Sequence, residues 1–242
     1  MLKRNKANGL RLDGYMDSGP LEQLRDREID IVGLAETNIN WANKWAQAKW
    51  CRLIAKAWPG SRVFVLSIST DNSESVNLQG GVSLIVNRKW AAHVQENGSD
   101  PLGRWVWVTL YGSNGRKLTV VSAYRPNEGR PSSGSNTVWR QQYNYITAKD
   151  SERMATELVG VDPQESFLLD LRNLLEQKKK AGHQLVLMID ANQSRYAETR
   201  KICYMDLAEQ VEMDPSLDEQ DSCVVPSRHT GTTVIDHMDT YG

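Results

Sequence analysis

Residues 103–124, GRWVWVTLYGSNGRKLTVVSAY, constrain the fold more than any other stretch of the chain. Trp105, Trp107 and Thr109 alternate with Val106, Val108 and Leu110, the two-residue period of a strand. SNGR then supplies an Asn-Gly turn, which suits the tight reversal between antiparallel strands, and KLTVVSAY returns. The middle of the chain is thereby committed to an antiparallel hairpin, around which the other elements must fit.

Strand and helix signals alternate on both sides of it. LEQLRDREID (21–30) has a helical pattern in Leu21, Leu24 and Ile29, and it leads into IVGLAETNINW, a short apolar strand ending in Glu36. In 41–58, Trp41, Trp45, Ala48 and Arg52 fall at helical intervals before Pro59-Gly60 closes the segment. RVFVLSIST and GGVSLIVN read as strands joined by a polar loop at 71–79, and 130–135 reads as a mobile Gly/Ser/Pro loop. A well-marked helix is expected over 162–182. Asp162 caps it, Pro163 suits its first turn, and Phe167, Leu168, Leu171, Leu174 and Leu175 give it one apolar face. Lys178 to Lys180 oppose the dipole at its C-terminus, so this lysine run reads as a helix end rather than a DNA patch. HQLVLMIDANQ follows as a strand, KICYMDLAEQVE as a weaker helix and TTVIDHM as a last short strand. Strands outnumber helices, which implies an α/β fold: a sandwich of two sheets with helices packed outside. At 242 residues, 40% hydrophobic and 24% charged, one domain spanning 1–242 can bury a sizeable core.

A net charge of −1 excludes a global basic field, so a nucleic-acid partner must be held by a local patch or through a metal ion. Cys51, Cys203 and Cys223 form neither a zinc pattern nor a disulfide framework, which favours a reducing compartment. The opening MLKRNKANGL is basic but has no apolar stretch behind it, and no apolar run approaches the ~20 residues that span a bilayer. The expectation is an intracellular protein, in nucleus or cytoplasm, with no membrane partner. The eight tryptophans are not periodic and read as core or groove aromatics.

LVLMIDANQS (185–194) carries the chemistry. Residues i and i+2 of an extended chain share a face, so Asp190 and Asn192 should project together from a buried strand's end. A plain Asx turn explains the same letters. Other strands also end in polar groups, however: Glu36, Tyr124 with Asn127, and Asp236. Carboxylates, an amide and a phenol, with no His/Cys cluster, suit phosphodiester chemistry on a hard divalent cation such as Mg²⁺, with Mn²⁺ as the alternative. Such a cation takes one or two carboxylates plus water and substrate phosphate.

Six stretches, in order and covering nearly the whole chain, resemble one family. They are NGL (8–10), DIVGLAET (30–37), GGVSLIVN (80–87), VVSAYRPNEG (120–129), LVLMIDANQS (185–194) and TGTTVIDHM (230–238). The family is the endonuclease/exonuclease/phosphatase superfamily of deoxyribonuclease I and abasic-site endonucleases. Its LINE-type retrotransposon endonucleases resemble this chain best, through the ETN after Glu36 and the IDH near the end. The resemblance implies a deoxyribonuclease I-like sandwich and a Mg²⁺-dependent DNA endonuclease, a monomer that in a longer parent protein would precede a reverse transcriptase domain. It makes Glu36 the metal-binding glutamate, Asp190 the residue that orients or deprotonates the attacking water, and Asn192 its phosphate-bonding companion. It makes Tyr124 the tyrosine at the scissile phosphate, with Asn127 lining the site. Asp236 would orient and charge-balance an imidazole. Arg125, Trp41 and Trp45 are further candidates for contact with a nucleic acid, with core packing or a surface charge as the plain alternative.

Two positions depart from the family pattern. Where its first strand carries an asparagine, three residues before the glycine of GL, this chain has Lys6; Asn5 or Asn8 is left to serve there, and Asn8 is the metal-side candidate. The family's last strand carries Ser-Asp-His, and here the sequence ends at Gly242, so a C-terminally truncated domain without its last strand, weak or inactive as a catalyst, is expected. Two other functions compete: a phosphatase acting on a small or lipid phosphate, and a catalytically dead relative that binds nucleic acid or protein. His237 reads as structural, and His93, His183 and His229 lack motif support.

Overall fold

The computed structural model describes residues 19–68, 74–152, 162–192, 214–215 and 236–241. Among these, the strands divide into two sheets. One holds β1 (Ile31–Leu34), β2 (Arg62–Leu66) and β3 (Val82–Val86) in the antiparallel order β1-β3-β2. The other holds β4 (Val94–Ser99), β5 (Trp105–Tyr111), β6 (Lys117–Tyr124), β7 (His183–Asp190), β8 (Asp214–Pro215) and β9 (Asp236–Tyr241), in the order β4-β5-β6-β7-β9-β8. Among the described strands only the β6–β7 pair is parallel. The helices are α1 (Gly19–Asp26), α2 (Lys44–Ala57), the short α3 (Arg88–Ala91), α4 (Val138–Glu152) and α5 (Pro163–Lys180).

Period-two alternation sorts the strand side chains into layers. Val82, Leu84 and Val86 of β3 meet Val106, Val108 and Val120 of the larger sheet, with Val186 and Met188 packed against them, and fill the seam between the sheets. Val121, Ala123, Leu185, Leu187 and Ile189 point the other way, onto Phe167, Leu168, Leu171 and Leu175 of α5. On the far side of the small sheet, Ala46, Trp50, Ile54 and Ala57 of α2 cover Ile85. The result is four layers, helix–sheet–sheet–helix, as expected. The sheets approach closely at Gly33, where a Cβ would sit 2.9 Å from both Met188 Cε and Ser122 Oγ.

The β5–β6 hairpin closes as its sequence dictates. Asn114 and Gly115 take φ of 60° and 72°, and Arg116 N donates to Ser113 O at 3.3 Å, a type I′ turn. Helix α5 is capped by Asp162, whose side chain accepts from Gln164 N. Its final lysines do more than oppose the dipole. Lys178 is buried, its Nζ 3.5 Å above the Trp107 ring and 3.3 Å from Glu96 Oε2, and the Tyr111 hydroxyl donates to the same carboxylate.

Other expectations need correction. The 41–58 segment begins its helix only at Lys44, with Asn43 as N-cap; Trp41 precedes it, is buried, and donates from Nε1 to Thr37 Oγ1 at 3.1 Å. Trp41 is therefore a core residue, not a nucleic-acid contact. The set Trp45, Ala48, Arg52 is the outward face of α2, because Trp50, Ile54 and Ala57 take the inward one. The first helix stops at Asp26, four residues short of the expected end, in a Schellman motif: Ile29 N donates to Leu24 O and Glu28 N to Arg25 O. β4 and α4 were not expected from the sequence. The weaker helix at 201–212 and residues 232–235 of the last strand lie outside the described residues.

Candidate active site

The site forms where strands of both sheets end at the seam. In the parallel register of β6 and β7, Tyr124 lies opposite Asp190, and both continue the faces that carry Val120 and Val186 into the seam. β1 ends at Leu34, and Glu36 follows two residues later with φ 52°, a left-handed conformation that turns its side chain toward Tyr124. The Tyr124 hydroxyl donates to Glu36 Oε1 at 3.4 Å.

The Glu36 loop is held from below. Thr37 N donates to Gly81 O and Asn38 N to Gly80 O, while Gly80 N returns a bond to Asn38 Oδ1 at 3.0 Å. Gly80 and Gly81 take φ of 87° and 80°, and a Cβ on Gly81 would lie 2.8 Å from Thr37 Oγ1, so the paired glycines of GGVSLIVN let the loop settle.

Asp190 and Asn192 are neighbours, though not by strand alternation. Asn192 has φ 47°, and its backbone N donates to Asp190 Oδ1 at 3.2 Å in an Asx turn. The turn and the constellation are one structure. Asn192 Nδ2 donates to Arg125 O at 2.6 Å, and Arg125 N donates to Asp190 O at 2.9 Å, which lock the β6 and β7 ends together.

Tyr124 is buried, with 1% of its surface exposed. Burial first, then the Glu36 and Asp190 carboxylates, push its phenol far above the ordinary tyrosine value, against an opposing hydrogen bond from Asn192. It is a neutral hydrogen-bond donor between two carboxylates. Arg125 is also buried, at 3% exposure, whereas Asn127 is exposed on the rim. Asp236 stands directly opposite Asp190 in the antiparallel β7–β9 register, which sets its backbone at the same strand end. Asn8 lies outside the described residues.

Glu36, Tyr124, Asp190 and Asn192 are thus gathered from three strand ends. The donor set suits a hard cation. Among the described residues no three His, Cys, Asp or Glu side chains form a cage, whereas Glu36 and Asp190 both act on the Tyr124 phenol. Carboxylates are the ligands that Mg²⁺ or Mn²⁺ prefers, with water completing the shell, whereas a structural zinc site draws on His and Cys.

Two supporting residues escaped the sequence reading. Gln164, buried at the start of α5, donates from Nε2 to Pro126 O at 2.9 Å and so pins the loop that follows Tyr124. Arg104, 2% exposed, makes a two-pronged pair with Asp100 at 2.7 and 2.9 Å and reaches Asp170 at 2.7 Å; its backbone O accepts from Tyr124 N. Pro126 lies 38 residues from Gln164 and Asp170 lies 66 from Arg104, so neither long-range contact is announced locally, although Asp100 stands only four residues before Arg104. His183 sits at the opposite end of β7, buried and 2.8 Å from Thr119 Oγ1, a structural position. No helix among the described residues is long and apolar enough to cross a membrane.

No protein-family model and no curated protein matches the sequence. Solved structures do match in fold. The human Nocturnin catalytic domain with bound sulfate anion superposes with a TM-score of 0.52 at 16% identity, over 91% of this chain and 72% of that one. A 3′-5′ exonuclease from Neisseria meningitidis gives 0.51 at 15%, over 91% and 82%. The mannosyl-6-phosphatase of Bacteroides thetaiotaomicron gives 0.50 at 11%, over 92% and 75%. The chain has the deoxyribonuclease I-like fold of the endonuclease/exonuclease/phosphatase proteins.

Proposed function

We propose that this chain is a metal-dependent phosphodiesterase that cuts DNA, the endonuclease module of a retroelement. The observation that carries the reading is the convergence of Glu36, Tyr124, Asp190 and Asn192 on one rim of the sandwich, from strands remote in sequence. Asp190 orients a water molecule and takes its proton as the water oxygen attacks phosphorus; the P–O bond to the leaving strand breaks, and the departing oxygen takes a proton from solvent. Tyr124, held neutral by its surroundings, donates a hydrogen bond to a non-bridging phosphate oxygen, where charge grows in the transition state. Asn192 fixes the Asp190 carboxylate through the Asx turn and bonds the phosphate alongside it. Glu36, with Asn8 as a second position, would hold Mg²⁺, which offsets phosphate charge when bound. Asn127, exposed on the rim, would meet the substrate strand, with Arg125 buried behind it holding the β6 and β7 ends together and Asp236 at the same strand end as Asp190. The module acts as a monomer inside the cell, beside a reverse transcriptase domain.

The phosphatase reading has one observation of its own, the fold shared with a mannosyl-6-phosphatase. Incubating the purified chain with Mg²⁺ and either supercoiled plasmid or soluble phosphate monoesters separates the two. Nicking without release of inorganic phosphate supports the endonuclease, and phosphate release without nicking replaces it. If the chain binds DNA but does neither, it is a binding relative.

A further inference from the structure

We infer that the outward face of α2 is a docking stripe for a nucleic-acid backbone, carrying substrate away from the cleavage rim; this deepens the nuclease reading and rests on it. Helix α2, KWAQAKWCRLIAKA, has four basic residues and no acidic one, in a chain whose net charge is −1. Ala46, Trp50, Ile54 and Ala57 face the core, which leaves Trp45, Lys49, Arg52 and Lys56 recurring at i, i+4, i+7 and i+11 along one outward side. That stripe is about 16 Å long at the helical rise. Among the described residues no carboxylate forms an ion pair with Lys49, Arg52 or Lys56.

An ordinary solvated helix face looks different, and α5 in this same chain is the comparison. There Glu176 pairs with Arg172 and Lys180, so the charges are interspersed and cancel. On α2 they do not cancel. Trp45, 52% exposed, is one of two large apolar side chains displayed by the described residues, and Lys49 Nζ lies 5.0 Å from its ring centroid. An aromatic platform followed by a row of cations is the combination that holds a nucleic-acid strand, one group stacking on a base and the others tracking phosphates. The stripe also begins in the right place. Its N-cap, Asn43, follows Glu36 by seven residues, and Asn40 and Asn43 tie the intervening loop to Ser75 O and Glu74 O at 2.9 Å each. A lipid surface fits less well. The apolar face of α2 is used by the core, and one tryptophan among alanines and cations has little to insert.

The test uses the whole chain in EDTA, so that nothing is cut, with labelled DNA of about 30 nucleotides, single- and double-stranded, over a series of salt concentrations. The triple variant Lys49→Gln, Arg52→Gln, Lys56→Gln should bind at least about tenfold more weakly at low salt. Its slope of log affinity against log salt should fall by about 2–3, as three lost phosphate contacts require. Trp45→Ala should abolish fluorescence quenching by single strands and weaken them more than duplex. Matching thermal melts establish folding; should the triple variant fail there, Arg52→Gln alone, on an exposed side chain, should give about one third of the slope change. Unchanged affinity and slope overturn the stripe, as does stripe-dependent binding to phosphatidylserine vesicles with DNA binding untouched. The nuclease reading fails separately. Stripe-dependent DNA binding by a chain that cuts nothing in Mg²⁺ would refute the chemistry and leave the stripe standing. Normal cleavage of a fragment too short to reach α2, with loss only on long substrates, supports both.

Discussion

Glu28 and Glu36 share a backbone that glutamate rarely adopts, with φ of 57° and 52°. A non-glycine residue in the left-handed region costs about 1–2 kcal/mol, and asparagine tolerates it far better. The two have different reasons to be there. Glu28 is exposed at the Schellman end of α1, where nothing requires a carboxylate. Glu36 turns into the site and accepts from Tyr124. Replacing each by asparagine should separate strain kept for function from strain without a use. Glu28→Asn should stabilise the fold by about 1 kcal/mol. Glu36→Asn gains the same relief but gives up the carboxylate's contacts, the 3.4 Å bond from Tyr124 among them, so it should be stabilised less than Glu28→Asn. For a chain of this size about 1 kcal/mol moves Tm by roughly 2–4 °C. Urea unfolding in EDTA measures both, and repeating it with Mg²⁺ adds the decisive contrast. A ligand that binds only the folded state stabilises it, so Mg²⁺ should raise the stability of wild type and Glu28→Asn and leave Glu36→Asn unmoved. If Glu36→Asn is stabilised as much as Glu28→Asn in EDTA, or if Mg²⁺ stabilises all three alike, the reasoning about Glu36 is wrong.

Three other outcomes follow from the same geometry. Arg104→Met leaves Asp100 and its two bonds buried without their cation, and should cost about 3–5 kcal/mol in urea titrations. Tyr124→Phe should lower nicking by about 10²-fold while leaving the pH dependence of the rate unchanged, because the phenol stays protonated throughout the working range. For His183, burial first, then Lys178 and Lys117, depress the imidazole below its ordinary value. The unfolded chain therefore takes up this proton first, so stability is complete above the ordinary histidine value and declines as pH falls below it. The slope from this one proton is at most about 1.4 kcal/mol per pH unit. His183→Gln should flatten that part of the stability profile in urea melts between neutral and mildly acidic pH.

What could be read from the letters was what neighbouring residues decide among themselves. The Asn114-Gly115 turn, the alternation of β5 and β6, and the Asp162 cap of α5 are local, and each formed as expected. β4 was illegible because VQENGS has one apolar side chain; it is a strand because it pairs with the edge of β5 through an irregularity between Val94 and Glu96. α4 carries Val138, Trp139, Tyr143 and Tyr145, types that favour strands. It is helical because Thr137 caps it, its Oγ1 accepting from Arg140 N, and because Trp139 packs on Gly129 and bonds Asp162, 23 residues further on. Asp190 and Asn192 were paired by strand alternation, yet their proximity comes from a left-handed turn. The polar strand ends were visible one by one; the parallel register that sets Tyr124 beside Asp190 was not.

The most direct measurement is plasmid nicking in Mg²⁺ by wild type, Glu36→Gln, Asp190→Asn and His183→Gln, each matched for folded fraction. If Glu36, Tyr124 and Asp190 form one catalytic rim, wild type nicks in Mg²⁺ and not in EDTA. Glu36→Gln and Asp190→Asn then each fall by about 10²-fold or more, and His183→Gln, remote at the other end of β7, stays within a few-fold. Equal loss in all three variants, or nicking that Glu36→Gln and Asp190→Asn leave intact, would contradict it.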